Sequence, residues 1–329
     1  MQHGDAVERA LRGMSMDGAI VGSAVRSGLT WHWPALSGTV RFELVRYPAG
    51  WSTDAVGYGE RLGELLRASG WPLAEPFIVG AGIAGGGLDD FALYRAGAGE
   101  PDDRTSAARQ RVRGRLLARF HADAAGFGDR QQRPCAGRAW ELDVFVRPAT
   151  ESFNALVGEF DREHHELAWA LRRERYRNLR ELARLGYGES PSTVIHGQFG
   201  GPGLRFAKGA LAGMPGLERA RRDSPAFDIA AAVALECEDA READALDPTL
   251  VRAFVEGYAA GARLSPEQLR LVLPLVRAAH LWEAMAALLA WRGGDADAVN
   301  DLRRIAERSL PALAARWPML SRAVEAIDR

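Results

Sequence analysis

The sequence has a single lysine, Lys208, and only three asparagines among its 329 residues. All other basic residues are arginine, so the 42 basic residues that face 43 acidic ones are almost entirely arginine. The resulting net charge of −1 argues against a protein that is held to nucleic acid by bulk charge. We attribute the excess of arginine to codon bias, so arginine richness alone indicates no function.

Cysteine and long apolar runs are also scarce. The two cysteines, Cys135 and Cys237, cannot build a disulfide framework, and no C-x-x-C pair suggests structural zinc. No uncharged apolar run reaches the roughly 18 residues of a membrane span, and the first thirty residues lack the pattern of a signal peptide. The sequence therefore predicts a cytoplasmic protein with no membrane partner, and its 47% hydrophobic content excludes wholesale disorder.

The amino-terminal part of the chain alternates between strand and helix patterns. Strands are predicted at residues 39–47, 76–79 and 90–95, with a glycine-rich turn at 80–87 before the last of them. Residues 54–68 have the spacing of an amphipathic helix. We therefore expect a β-rich amino-terminal lobe over residues 1–95.

The rest of the chain is mainly helical in pattern. Long helices are predicted at 106–124 and within 151–185, and the pattern from residue 228 to the end is almost wholly helical. The change of period near residue 95 predicts an α+β fold of two lobes, with the helical lobe over residues 96–329.

Residues 194–206, VIHGQFGGPGLRF, form the most informative stretch. They resemble the catalytic loop of the aminoglycoside phosphotransferase and choline kinase-like family, which reads apolar-apolar-His-Gly-Asp-apolar-His-x-x-Asn-apolar-apolar-Phe. Residues 217–231 resemble the family's segment after its metal-binding Asp, with Asp228 opening the Asp-Leu-Ala motif. The resemblance implies a bilobal protein-kinase-like fold with a ligand cleft between the lobes.

Weaker matches to the same family occur in the family's order, so the resemblance spans most of the chain. Arg46 matches the basic residue of the third strand, Glu60 matches the glutamate of the helix that follows, and His121 lies in a match to the family's L-A-x-L-H helix. The resemblance implies that Arg46 faces phosphate and can pair with Glu60. It also implies that His121, His196 and Asp228 have structural roles around the catalytic loop.

The residues that carry the family's chemistry are missing. The catalytic Asp of the family aligns with Gln198, its Asn with Gly203, and its metal-binding Asp with Gly216. Residues 190–222 contain no Asp or Asn, and Glu218 is the only carboxylate in this segment. A neutral amide cannot accept the substrate proton, and glycine cannot ligate Mg²⁺. The resemblance therefore implies a pseudokinase without a cofactor, which does not bind magnesium-ATP with ordinary kinase affinity.

The old cleft is nevertheless expected to bind something. Its candidate ligand residues are Arg46, Glu60, His196, Gln198 and Glu218. Because four glycines (200, 201, 203 and 216) are expected to leave room there, the predicted occupant is a peptide, a partner protein or a small molecule. The uncharged amide of Gln198 suits a neutral or peptide-like ligand, with Arg46 available for one acidic group.

Three functions remain open at this point. The first is a non-catalytic binding or scaffold component for a peptide or partner enzyme in natural-product biosynthesis. The second is a tailoring enzyme that uses the old cleft for non-phosphoryl chemistry. The third is a residual kinase that relies on Glu218 or on a group supplied by a partner.

Two charged stretches complete the pattern. Residues 171–180 are rich in arginine and either grip an acidic peptide or phosphates, or form a solvated helix face with internal Glu–Arg pairs. Residues 236–247 are acidic and are expected to be solvated or to meet the basic stretch across the lobe.

Overall fold

The computed structural model describes residues 4–16, 18–27, 29–48, 51, 53–79, 90–128, 132–133, 137–146, 149–214 and 216–328. The predicted turn at 80–87 and Cys135 lie outside these residues. The α-helices are α1 (Gly4–Gly13), α2 (Thr53–Ala68), α3 (Ala107–Ala124), α4 (Phe153–Phe160), α5 (His165–Arg184), α6 (Pro225–Glu236), α7 (Pro248–Ala259), α8 (Pro266–Arg292), α9 (Ala298–Arg304) and α10 (Leu310–Glu325).

The strands are β1 (Ile20–Val21), β2 (Val25–Ser27), β3 (Thr30–Ser37), β4 (Val40–Arg46), β5 (Glu75–Val79), β6 (Phe91–Arg95), β7 (Glu100–Pro101), β8 (Asp143–Val146), β9 (Ala149–Ser152), β10 (Thr193–Ile195), β11 (Arg205–Ala207), β12 (Ala210–Gly213), β13 (Arg221–Asp223), β14 (Glu238–Asp239) and β15 (Glu242–Leu246). The α+β fold class, with a β-rich amino-terminal region and a helical carboxy-terminal region, is confirmed. The lobe boundary after Arg95 coincides with the end of β6 and stays a prediction.

The amino-terminal sheet has the order β1-β3-β4-β6-β5, with β2 on the same edge of β3 as β1. Both of its faces are covered, because α1 packs on one face and α2 on the other. Leu44 joins the cluster on the α1 face, while its neighbour Val45 joins the cluster on the α2 face. Successive residues of a strand point to opposite sides, so the two faces of β4 lead to different surroundings.

The carboxy-terminal region is built around α8. This helix opens with a capping box, in which the Ser265 hydroxyl accepts a hydrogen bond from the Gln268 backbone and the Gln268 side chain accepts one from the Ser265 backbone. It is the one helix of the described chain that is long and apolar enough to cross a membrane, but 83% of its most apolar window is buried inside the fold. Such burial is typical of the core helix of a globular domain.

The predicted helix within 151–185 is in fact two helices, α4 and α5. The break spans residues 161–164, and its last residue, His164, leaves the helical conformation with φ −136° and ψ 58°. The carboxylate of Asp161 accepts hydrogen bonds from His165 and Arg172 across this break at 2.8 and 2.7 Å. The hairpins β8–β9 and β14–β15 were also not predicted.

Candidate functional site in the cleft

Asp228 holds the catalytic-like loop in place. It lies in the first turn of α6, is fully buried, and accepts hydrogen bonds from the backbone N–H groups of His196 and Gly197 at 2.7 and 2.8 Å. Its Oδ2 also lies 3.0 Å from Nε2 of His121, whose Nδ1 meets the hydroxyl of Tyr258 at 2.8 Å. Burial raises the pKa of Asp228, but the bond and charge of His121 outweigh it, so the pKa lies below its ordinary value.

His196 lies in the core rather than in the cleft. It has no exposed surface, and its ring packs 5.4 Å from Phe120 and 5.7 Å from Phe199, measured between centroids. This position fits a structural role for His196 and not the role of a ligand residue, because a fully buried ring cannot contact a cleft ligand.

Gly200 does not leave the room that the sequence predicts. It has a φ of +144°, and a Cβ placed on it would meet Oε1 and Cγ of Glu236 at 2.8 and 2.9 Å. The backbone N–H of Gly201 donates to the same carboxylate, which forms a buried ion pair with Arg113 at 3.1 Å. Glu236, expected to be solvated, is therefore buried beneath the loop and fills the space beside Gly200. At Gly201 the space is open, since no atom lies within 4 Å of a Cβ placed there, but its backbone donor is taken by Glu236.

Gly200→Ala should therefore destabilise the protein by about 2–4 kcal/mol, through a strained backbone and overpacking against Glu236. The matched control is Gly209→Ala in the β11–β12 turn, where φ is also positive (+82°) but only the tip of Arg109 lies within 4 Å. That control should cost about 1 kcal/mol. Chemical denaturation measures both, and equal losses would contradict the packing against Glu236.

Arg46 does not face the cleft. It pairs in register with Phe91 of β6, and its guanidinium carbon lies 5.5 Å from the centre of the Phe91 ring. The carboxylate of Asp90 lies 3.9 Å from the same guanidinium group. Phe91 belongs to the cluster under α1. Glu60 lies on α2, on the other side of the sheet, so the predicted juxtaposition of Arg46 and Glu60 is wrong.

The cleft side of β4 carries a carboxylate instead. Glu43 shares its face with Val45 and lies opposite Tyr94 in the strand register. Its Oε1 is 2.9 Å from Nδ1 of His32 on β3, and Nε2 of His32 is 2.8 Å from the hydroxyl of Thr30. Burial lowers the pKa of His32, but the bond to Glu43 outweighs it, so the net shift is upward. The sequence analysis did not single out His32 or Glu43 as site residues. The one signal for Glu43 was that positions 43, 45 and 47 fall on the same face of a strand.

Glu60 also lies on the cleft side, where it accepts a hydrogen bond of 2.8 Å from the hydroxyl of Tyr94. Burial raises the pKa of Glu60, and the nearby Glu218 raises it further against that hydrogen bond. Glu43, Glu60 and Glu218 all line one cavity of about 30 Å³, together with Tyr47 and Tyr94, and Arg67 and Arg133 line it as well. The three glutamates outnumber the two arginines, so the excess charge of the lining is negative and disfavours a ligand group that carries negative charge.

Of the three positions that replace the family's chemical residues, Gly216 is the one that lines this cavity. Gln198 and Gly203 are partly exposed in the loop after β10, and Gly216 is partly exposed after β12. The Glu218 carboxylate folds back onto Gly216, into the space that a side chain at position 216 would take. The other two positions, Gln198 and Gly203, have no carboxylate in their own side chains.

Arg133 ties α2 to the segment after β12, and the sequence analysis did not single it out. It is 2% exposed, and its Nε donates to the carbonyl of Ala55 at 2.7 Å. Its Nη1 lies 2.7 Å from the carbonyl oxygens of both Leu217 and Glu218, and 3.2 Å from that of Ala220. Cation–π contacts with Trp51 and Tyr58 complete its surroundings. This cation is therefore occupied by backbone carbonyls rather than directed at a phosphate.

Magnesium-ATP does not fit these residues. Within the described ranges, no group of three or more His, Cys, Asp and Glu side chains could hold a metal ion. The β4 residue that points into the cleft is Glu43, which would repel a polyphosphate.

Comparisons with known proteins place the fold. No protein-family model matches the chain, and no curated protein sequence matches it significantly. Among solved structures, an aminoglycoside phosphotransferase from Alicyclobacillus acidocaldarius is 16% identical with a TM-score of 0.54, and 93% of each chain is covered.

Two further solved structures agree with this match. Plasmodium vivax ethanolamine kinase is 11% identical with a TM-score of 0.57, covering 94% of this chain and 87% of its own. An aminoglycoside-3'-phosphotransferase of type VIII is 18% identical with a TM-score of 0.53, covering 86% of this chain and all of its own. The chain therefore has the bilobal protein-kinase-like fold of aminoglycoside phosphotransferases and choline kinase-like proteins.

Proposed function

We propose that this protein is a pseudokinase: a kinase-like binding or scaffold component whose cleft takes a ligand other than magnesium-ATP. The observation that carries the proposal is the cavity lined by Glu43, Glu60 and Glu218, on the side of β4 where the resemblance led us to expect a basic residue. The loss of side-chain chemistry at Gln198, Gly203 and Gly216 supports it independently.

The charge of the cleft restricts its ligand. The three carboxylates outnumber the lining arginines Arg67 and Arg133, and Arg133 is bonded to backbone carbonyls, so the cleft favours a peptide, partner protein or small molecule that presents an ammonium or guanidinium group. Tyr47 and Tyr94 add hydrogen-bonding hydroxyls. This revises the sequence-based expectation of a neutral ligand with Arg46 reserved for an acidic group. A setting in natural-product biosynthesis and a cytoplasmic location are part of the proposal, and they are supported by the family resemblance and the sequence alone.

One observation favours a second function, a residual kinase. The Glu218 carboxylate occupies the space beside Gly216, at the position of the family's metal-binding Asp. A single carboxylate provides one Mg²⁺ ligand, whereas phosphoryl transfer also needs a base and a second metal ligand. A partner would have to supply these groups.

Titration calorimetry with magnesium-ATP distinguishes the two functions. We expect no binding tighter than roughly 1 mM for the wild-type protein, because the cleft repels the triphosphate. Glu43→Lys should tighten binding by about tenfold, since it reverses the charge on the cleft side of β4. The control is Glu325→Lys, the same charge change at an exposed position at the end of α10. Micromolar wild-type binding that disappears with EDTA and in Glu218→Gln would overturn the pseudokinase proposal in favour of the residual kinase.

A further inference from the structure

The exposed face of α5 carries a line of aromatic and arginine side chains. Trp169, Arg173, Tyr176 and Arg180 follow one another at spacings of four, three and four residues, which places them on one side of the helix. The structure leaves Trp169 55% and Tyr176 64% exposed. Tryptophan, tyrosine and arginine are the residues that dominate binding energy at protein interfaces. We call these four residues the α5 stripe.

The arginines of the α5 stripe are ordered by its aromatic rings. The guanidinium carbon of Arg173 lies 4.9 Å from the ring centroid of Trp169, and that of Arg180 lies 5.6 Å from the ring of Tyr176. Stacking of this kind restrains the side chain while its in-plane N–H groups can still donate. Because Arg180 lies seven positions after Arg173, the two cations are spaced by about 10 Å along the helix.

The chain itself supplies little negative charge to this stripe. The carboxylate nearest to Arg173 is that of Glu174, at 3.7 Å, and it also faces Arg177 at 3.8 Å and the buried Arg277 at 3.3 Å. One carboxylate thus serves three arginines. No ion pair to Arg180 occurs within the described part of the chain.

The acidic stretch at 236–247 does not neutralise α5 either. Its carboxylates pair with other arginines of the same chain: Glu236 with Arg113, Asp239 and Glu242 with Arg316, and Asp244 with Arg304 and Arg308. The two charged stretches therefore do not meet, and the arginines of the α5 stripe stay open to solvent or to another molecule.

We propose that the α5 stripe docks an acidic segment of a partner protein, with carboxylates about 10 Å apart and an apolar side chain between them. The carboxylates would meet Arg173 and Arg180, and the apolar side chain would cover Tyr176. A net charge of −1 for the whole chain favours such a segment over a nucleic acid, which needs a broadly positive surface. This surface is separate from the cleft and does not depend on the ligand proposed there.

Fluorescence anisotropy tests the proposal with a labelled peptide of glutamate, leucine and alanine, with glutamates seven residues apart and leucine between them. We expect the double variant Arg173→Glu/Arg180→Glu to weaken its binding at least tenfold. Trp169→Ala/Tyr176→Ala should weaken it to a similar extent without any change in charge. The control is Arg263→Glu/Arg270→Glu, which changes the same charge at exposed positions outside α5 and should stay within twofold.

Several results would overturn the proposal. These are no binding of the peptide by the wild-type protein, equal losses in the control variant, or unchanged binding in the aromatic variant. Tighter binding of a single-stranded DNA oligonucleotide than of the peptide would identify the surface as a nucleic-acid site instead. Because all four side chains are wholly or largely on the surface, circular dichroism should show the wild-type fold for each variant; the charge-neutral pair Arg173→Gln/Arg180→Gln replaces any that unfolds.

Discussion

Replacing Asp228 with alanine is expected to destabilise the protein by about 3–5 kcal/mol, the range for removing one partner from a buried charged network. Three groups lose their acceptor at once: the backbone N–H groups of His196 and Gly197, and the imidazole of His121. Each is buried, so none can turn to water instead. Urea denaturation monitored by circular dichroism measures the change.

A matched carboxylate shows whether this loss belongs to the network. Asp247→Ala removes a carboxylate that accepts one hydrogen bond, from the Thr249 backbone at the start of α7, and should cost about 1 kcal/mol. A comparable loss at both positions would contradict the role of Asp228 as the centre of the loop.

Asp228 should also affect how the free energy of unfolding decreases at acid pH. Its pKa in the folded protein lies below the ordinary value, so its contribution is complete above about pH 4 and is lost as the pH falls through the folded pKa. Asp228→Asn, which keeps the shape of the side chain, should be less stable at neutral pH and lose less stability between pH 4 and pH 2. An acid limb unchanged from wild type would contradict the lowered pKa.

Replacing Arg133 with methionine should cost about 3 kcal/mol or more, because several buried carbonyl oxygens lose their donor while the apolar stem is kept. The effect should be local as well as global. Hydrogen exchange is expected to speed up most in α2 and in residues 216–220, the two segments that the guanidinium joins.

Arg133→Lys provides the comparison for this prediction. The ammonium group keeps the charge but lacks the planar fork that reaches carbonyls on two segments, so we expect an intermediate loss of stability. Exchange that rises uniformly over the protein in Arg133→Met would show that Arg133 is not a specific tie between α2 and the loop after β12.

If the tie holds, α2 has little freedom to move relative to the cleft. Glu60 then stays bonded to Tyr94, on the opposite side of the sheet from Arg46. A cleft held in one arrangement by buried hydrogen bonds agrees with the proposed binding role, because a preformed site loses less conformational entropy when a ligand binds.

The framework of the fold was predictable from local sequence. The period-two alternation of 39–47 and the amphipathic spacing of 54–68 predicted β4 and α2 to within a residue or two. The loop motif placed the carboxylate of Asp228 near His196 because the resemblance carried that information. These features depend on neighbours in the chain or on motifs of a few residues, which a single sequence records directly.

The direction of the β4 side chains required the tertiary structure. Leu44 is 0% and Val45 1% exposed, so both faces of the strand are equally apolar and the pattern cannot tell which face borders the cleft. The choice follows from where α1 and α2 pack, and it puts Glu43 rather than Arg46 in the cleft. The sign of the cleft's charge was therefore decided by packing between distant segments.

The same division applies to the buried ions. Composition, the missing Asp and Asn residues, and the order of motifs were sufficient for the two-lobed fold and for the expectation that kinase chemistry is absent. Glu236 beneath the loop and Arg133 between α2 and residues 217–220 were visible only in three dimensions. In a sequence, a charged side chain is expected to be solvated. It can be buried only when folding brings partners from distant parts of the chain, whose hydrogen bonds and charges offset the free energy of desolvation.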